Sequence, residues 1–553
     1  MRICFAFIFC FLFARQVSAQ PDIVKTQGIT SPMHQANVGR IFFTSKYVPT
    51  NQIQQSDFLT QYRLTHKSDL FFTAFMDNSL TNYVHRIAPD LSADSLAGRS
   101  NFQFNLLVDG HLVYRSNLIP GAPVRAVRDS ATVLARPLIN NKNSDGLWTE
   151  SFWGRFMHSG GDTALTDGRH LLRMEIRPYV NQANGTKTGD VIAAGDLLVN
   201  VSRKLKLDLS TIRLTPVKPY KGLTVSKEKF NRDEIKELKG TIDSGVFKKI
   251  SGIVVLKNSR ILIEEYFNGE TRDSLHDPRS VGKSFSSTLT GIAIGDGYLK
   301  NEYQPLKDFY NFKSYANYSP LKSNTSLYDL LTMSSVFDGD DDNFTSPGNE
   351  ENMYPTPNWL RFTLDLPVKP QRSKDQWHYF TAGLILLGDI LNQTVPGGLE
   401  TYADKRLFRP LGITDYHWQY TPQNVPNTAG GIRLKALDFA KYGQLYKNNG
   451  VWKGKQLVPK DWVAKTFTRQ RALPGRPNEN YGYLFWNKTF HVNGRNYETW
   501  YCAGNGGNSI FVFKDQPLVI VITAAAYGQI YAHPQVDKIM EAYILPAVID
   551  RQP

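Results

Sequence analysis

The chain has 553 residues, of which 41% are hydrophobic and 21% charged, and carries a formal net charge of +14. This balance fits an ordinary globular protein of about two to four domains and excludes a disordered or collagen-like chain. The basic residues are scattered apart from a cluster between Arg203 and Lys221, so no nucleic-acid partner is expected.

Residues 1–19 read as a signal peptide. Arg2 forms the positive start, Ile3 to Ala14 is an apolar run too short to span a bilayer, and Val17-Ser18-Ala19 places small residues before Gln20. A periplasmic or secreted protein is the expectation, with no later apolar run long enough for a transmembrane span. A basic protein in that compartment suits association with an anionic cell envelope. Two of the three cysteines, Cys4 and Cys10, fall in the signal. Cys502 is left alone and reads as a core residue.

Residues 20–204 read as a β-rich, sandwich-like domain. Phe102, Phe104, Leu106 and Val108 alternate with polar residues and end at Asp109-Gly110, a tight-hairpin signal. Leu172, Met174 and Ile176, and then Leu197, Val199 and Val201, make further period-two runs. Trp153, Tyr179 and other aromatics read as core, and no motif here assigns chemistry. Residues 205–221, with Pro216 and Pro219, read as a linker.

A second domain spans 222–550. Ile235, Leu238 and Ile242 mark a helix, and Ile253–Leu256 with Ile261–Tyr266 a hairpin around Asn258-Ser259. At the far end, Ile510–Phe513 and Leu518–Thr523 form another hairpin before a helix carrying Val536, Ile539, Met540 and Tyr543. Strands from both ends around a mostly helical middle imply one α/β domain with an antiparallel sheet, an all-helical lobe and a cleft between them.

The chemistry centres on Asp277-Pro278-Arg279-Ser280-Val281-Gly282-Lys283. Three Ser-x-x-Lys matches occur, at Ser226/Lys229, Ser280/Lys283 and Ser319/Lys322. Only Ser280 enters an apolar helix, where Phe285, Leu289, Ile292 and Ala293 recur at helical spacing. One turn apart, Ser280 and Lys283 share a face. A serine there is a nucleophile if a base lies within reach, and a desolvated lysine is such a base. The helix N-terminus adds an N–H for a developing oxyanion.

In these residues and their order, 222–550 resembles the serine hydrolases of the β-lactamase-related family, which includes class C β-lactamases, D-alanyl-D-alanine carboxypeptidases and esterases. The hairpin at 252–267 precedes Ser280-x-x-Lys283. Ser326-Leu327-Tyr328-Asp329-Leu330-Leu331-Thr332-Met333-Ser334-Ser335 then follows, and Trp377-His378-Tyr379-Phe380-Thr381-Ala382-Gly383 looks like the Tyr-x-Asn second motif. Pro410-Leu411-Gly412, Gly430-Gly431-Ile432-Arg433, Tyr481-Gly482-Tyr483 and Ala503-Gly504-Asn505-Gly506-Gly507-Asn508 complete the series. The resemblance implies a β-lactamase/transpeptidase-like fold, acylation of Ser280, and proton transfer shared by Lys283 and Tyr379. Free Lys and Tyr both titrate near pH 10, so a close pair titrates as one unit and either member serves as the base.

The third motif, Lys-Thr-Gly or His-x-Gly in the family, is here Asn505-Gly506-Gly507. A substrate carboxylate loses a charged partner at that position, which favours neutral esters and amides over β-lactams and D-Ala-D-Ala peptides. Arg433 is a candidate to supply the charge from elsewhere. The resemblance puts the oxyanion donors at the N–H of Ser280 and that of Asn508 or, one residue earlier, Gly507. The acidic run Asp338-Gly339-Asp340-Asp341-Asp342-Asn343 lacks the glycine placement and distal glutamate of a calcium loop and reads as solvated. No metal or cofactor is expected. The function expected is an exported serine hydrolase acting on a small-molecule or peptide-like acyl substrate. The alternative is a non-catalytic envelope-binding protein on a hydrolase fold, against which the intact Ser-Lys-Tyr set argues.

Overall fold

Strands whose residues face two sides in alternation shape both halves of the chain in the computed structural model, which describes residues 21–120, 123–140, 147–202, 205, 207–343, 345–369 and 376–549. Residues 1–19, read as a signal peptide, and the basic residues Arg203 and Lys204 lie outside the described residues. Two compact units divide after Leu205.

The first unit contains β1 (Ile41–Thr44), β2 (Gln61–Leu64), β3 (Leu70–Phe75), β4 (Ser100–Val108), β5 (His111–Asn117), β6 (Val133–Ile139), β7 (Gly168–Gln182), β8 (Gly185–Thr188) and β9 (Ala193–Val201). One sheet runs β1-β3-β6, and the other runs β2-β9-β7-β4-β5 with β8 beside β7. The alternating residues Phe102, Phe104, Leu106 and Val108 of β4 join Phe43 of β1 and Phe72 of β3 in a single core. Each such burial is worth about 1.5–3 kcal/mol. Asp109 (φ 51°) and Gly110 (φ 82°) turn the β4–β5 hairpin, the left-handed pair that a two-residue loop requires. Trp153 and Tyr179 are buried, and the Tyr179 hydroxyl donates to the carbonyl of Leu118.

The second unit is built on β10 (Ile250–Lys257) and β11 (Arg260–Tyr266), then β12 (His417–Trp418), β13 (Ile432–Arg433), β14 (Val451–Trp452) and β15 (Lys455–Gln456). It continues with β16 (Arg471–Leu473), β17 (Arg476–Tyr481), β18 (Trp486–Val492), β19 (Arg495–Gly504), β20 (Asn508–Phe513) and β21 (Leu518–Ala524). An eight-stranded antiparallel sheet runs β11-β10-β21-β20-β19-β18-β17-β16. Alternation sorts its residues between two cores. Val254, Leu256, Ile510, Val512, Val519 and Val521 face the helical lobe. Ile253, Val255, Phe511, Phe513, Ile520 and Ile522 meet the helices Arg232–Asp243 and Ala532–Ile539 on the other side. The helical lobe is not wholly helical, because β12–β13 and β14–β15 form two short ladders within it. No helix among the described residues is long and apolar enough to cross a membrane.

Candidate active site

The helix Gly282–Gly295 packs among other helices, against Ala382–Thr394 and Ala436–Lys447, with almost every side chain buried, and Phe285 stacks on Tyr442 at 4.0 Å. Hydroxyls inside this interface are satisfied locally: Ser284 Oγ donates to Leu484 O at 2.8 Å, and Thr288 Oγ1 bonds the hydroxyls of Tyr442 and Tyr446. A helix packed this firmly fixes what stands at its start. Ser280 sits in the 3-10 turn Arg279–Val281 that leads into it. Arg279 adopts φ 52°, a left-handed conformation on a non-glycine residue directly before the serine. The first amides of a helix find no acceptor within it. That of Arg279 donates to Asp277 Oδ1 at 3.1 Å and that of Val281 to Pro278 O at 3.3 Å, while the Ser280 nitrogen lies beside Gly504.

Lys283 is buried and extends back along the helix to the serine. Its Nζ lies 2.8 Å from Ser280 Oγ and donates to Ala429 O at 2.7 Å. The same ammonium group is 5.1 Å from the centre of the Tyr379 ring. Tyr379 precedes the helix Ala382–Thr394 and is flanked by Trp377 and by Trp486, which stacks on it at 6.0 Å. Burial pushes its phenol above the ordinary value, with the Lys283 charge and the Ser280 hydroxyl pulling the other way. The structure therefore brings together Ser280, Lys283 and Tyr379, the three residues read as catalytic. His378 is buried and turned to Gln376 O at 3.2 Å. Cys502 lies in the core, where burial pushes its thiol up to about 12.

The second strip is arranged differently from the expectation. Asn505, Gly506 and Gly507 form the turn between β19 and β20, Asn508 opens β20, and their polar groups bond within the turn and to the chain just after β21 or at its end. Asn505 is exposed and its Oδ1 accepts from Gly528 N at 2.8 Å. The Gly507 amide donates to Gly504 O at 3.3 Å. Asn508 Nδ2 donates to Asn505 O and Ala524 O, and its Oδ1 accepts from Ala524 N. The residue against the nucleophile is Gly504: a Cβ there would stand 1.9 Å from Pro278 O and 3.0 Å from Ser280 N, so only glycine lets β19 approach this closely. The ladder with β18 ends at Tyr501–Trp486, so Cys502–Gly504 extend past it toward Ser280. Gly504 is adjacent to the triplet, and a shift of the motif toward the strand would have found it.

Two cations stand at the same end of the helix. Arg279 Nε and Arg433 Nη2 lie 3.5 and 3.8 Å from Asp277 Oδ2, and the Arg279 guanidinium covers the Tyr527 ring at 4.6 Å. Both side chains are about half exposed. The acidic run read as a solvated loop is solvated only in part: Asp342 is exposed, but Gly339 is buried and Asp338, Asp340 and Asp341 are only partly exposed because the run packs under the Tyr379 segment. Among the described residues no group of three or more His, Cys, Asp or Glu side chains converges as a metal site would require.

Residues 241–531 match the β-lactamase family, more than half of the chain, and the protein belongs to that family. Solved structures similar to it include EstCE1, a hydrolase with promiscuous acyltransferase activity, at 15% identity over 55% of this chain and 97% of that one, with a TM-score of 0.46. A D-stereospecific amidohydrolase from a Streptomyces species matches at 15% identity over 55% and 97%, with a TM-score of 0.42. A penicillin-binding protein from Bacillus halodurans matches at 16% over 53% and 96%, with a TM-score of 0.42.

Proposed function

We propose that the protein is an exported serine hydrolase that forms an acyl-enzyme at Ser280 and cleaves a neutral ester or amide. The observation that carries this reading is the 2.8 Å contact of Lys283 Nζ with Ser280 Oγ, with the second lysine bond fixed on Ala429 O. In its neutral form Lys283 takes the Ser280 proton as Oγ attacks the substrate carbonyl. The carbonyl oxygen gains the charge and lies at the Ser280 amide and the Gly504 end of β19. Tyr379, held in its phenol form by burial, passes a proton to the departing alkoxide or amine and is reprotonated from Lys283. Water then attacks the acyl-enzyme by the same groups in reverse.

Neutral substrates are favoured because Asn505 faces Gly528 and supplies no cation, and because Arg279 and Arg433 are both engaged with Asp277. Export rests on the leader at 1–19. The test is labelling of the mature protein by a fluorophosphonate and turnover of a neutral aryl ester. Both are expected in the wild type and lost in Ser280→Ala; label that persists in Ser280→Ala removes the assignment.

A further inference from the structure

The acidic run Asp338–Asn343 has no part in the chemistry above, yet one of its residues is committed to the segment that carries Tyr379. The Asp341 N–H donates to Tyr379 O at 2.8 Å. Its Oδ2 accepts from Thr381 N at 2.7 Å, and its Oδ1 accepts from Glu350 N at 2.8 Å. Residues 379 and 381, on both sides of Phe380, are thus pinned to a single aspartate. The Phe380 ring lies over Gly339, where a Cβ would come within 2.1 Å of it. Asn349 Nδ2 holds the loop from behind through Asp341 O at 3.1 Å.

We propose that Asp341 is a positioning residue for the reaction, fixing Tyr379 on the Ser280–Lys283 pair and setting, through its charge, the pH at which the cluster of Ser280, Lys283 and Tyr379 loses its proton. The inference rests on the hydrolase reading above. Lys283 and Tyr379 face Asp341 from the cleft. Glu350 and Tyr354 face it from the helix Glu350–Met353 and its end, and Asp340 and Asp342 flank it in the loop. Burial, with the Glu350 carboxylate, raises the Asp341 carboxyl to about 6, against the bonds from Thr381 and the Lys283 charge. At neutral pH it is therefore ionised, and both oxygens accept. Its negative charge favours phenol over phenolate at Tyr379 and, by simple Coulomb attraction, opposes loss of a proton from the Ser280–Lys283–Tyr379 cluster as a whole.

The experiment compares full-length wild type, Asp341→Asn and Asp341→Glu on a neutral aryl ester over about pH 5–10, reading kcat, KM and the acid limb of kcat/KM. Asparagine presents an NH2 where an N–H must be accepted and carries no charge. It is expected to lower kcat by about tenfold or more with KM little changed, and to move the acid limb to lower pH. A role in folding alone leaves that limb in place, so an unmoved limb in Asp341→Asn overturns the inference. If that variant does not fold, Asp341→Glu decides: it keeps the charge but displaces the carboxylate, so kcat must fall by about tenfold with the limb unmoved, and a wild-type kcat overturns the inference. A wild type inert toward ester and label removes the hydrolase reading and this inference together. An active wild type with indifferent variants removes this inference alone.

Discussion

In the proposed mechanism Tyr379 is the proton donor, a role that suits a phenol walled by Trp377 and Trp486 and raised by burial. The ordinary tyrosine value is near 10, so a raised group stays protonated through neutral and mildly alkaline pH. The amide rate should therefore show no alkaline fall below about pH 10. Tyr379→Phe should lower amide turnover by about 10²–10⁴-fold and a p-nitrophenyl ester far less, because that leaving group departs without a proton. Steady-state rates on the two substrates check this; equal losses would mean that Tyr379 acts on Ser280 and not on the leaving group. Ser280, Lys283 and Tyr379 were legible in the sequence because their signal is a fixed local spacing followed by landmarks in order. Gly504 and Asp341 were not, since each acts through backbone atoms of a segment far along the chain. No spacing rule encodes an approach to Pro278 O or a bond to Thr381 N.

At the scale of elements, the same three-residue spacing of serine and lysine gives two opposite outcomes. Lys283 reaches a serine. Lys322, from the match Ser319-Pro320-Leu321-Lys322, turns away from its serine and donates to Ala316 O, Leu364 O and Leu366 O at 2.8–2.9 Å, fully buried. It ties the short helix Pro320–Ser323 to the end of the helix Trp359–Asp365. Each buried carbonyl left without a donor costs about 1–3 kcal/mol. Lys322→Met is expected to lower the thermal midpoint by several degrees while Ser280 still takes the fluorophosphonate. Calorimetry beside labelling checks both halves. The hairpins were readable because apolar alternation and a turn pair such as Asn258-Ser259, both with positive φ, carry their own register. The order of the eight strands was not, since β10 pairs with β21 across more than half of the domain and only the shared core fixes that choice.

At the scale of the molecule, the two units have separate interiors. The core of β1–β9 draws only on residues of the first unit, and the two cores flanking the eight-stranded sheet draw only on the second. A chain beginning at residue 206 should fold, melt cooperatively and keep the fluorophosphonate reaction at Ser280, as circular dichroism and labelling would report. Loss of structure on truncation would show that the second interior depends on the first unit. The alternation in β4, β7 and β9 made the sandwich readable. The use of the first unit was not, because the aromatics that stood out in its sequence, such as Trp153 and Tyr179, are buried and serve its packing.

The left-handed backbone at Arg279 has a consequence for engineering. A non-glycine residue held at φ 52° costs about 1–2 kcal/mol, and the close packing of Gly430 and Gly504 on this turn keeps it there. Glycine would adopt the same conformation without that strain and could also leave it. Arg279→Gly should therefore hold or raise the melting temperature while lowering kcat, as the serine samples orientations the arginine backbone forbids. Selection for thermostability alone would drift toward such changes, and a screen that reads only melting temperature would reward the loss of the activity it was meant to preserve.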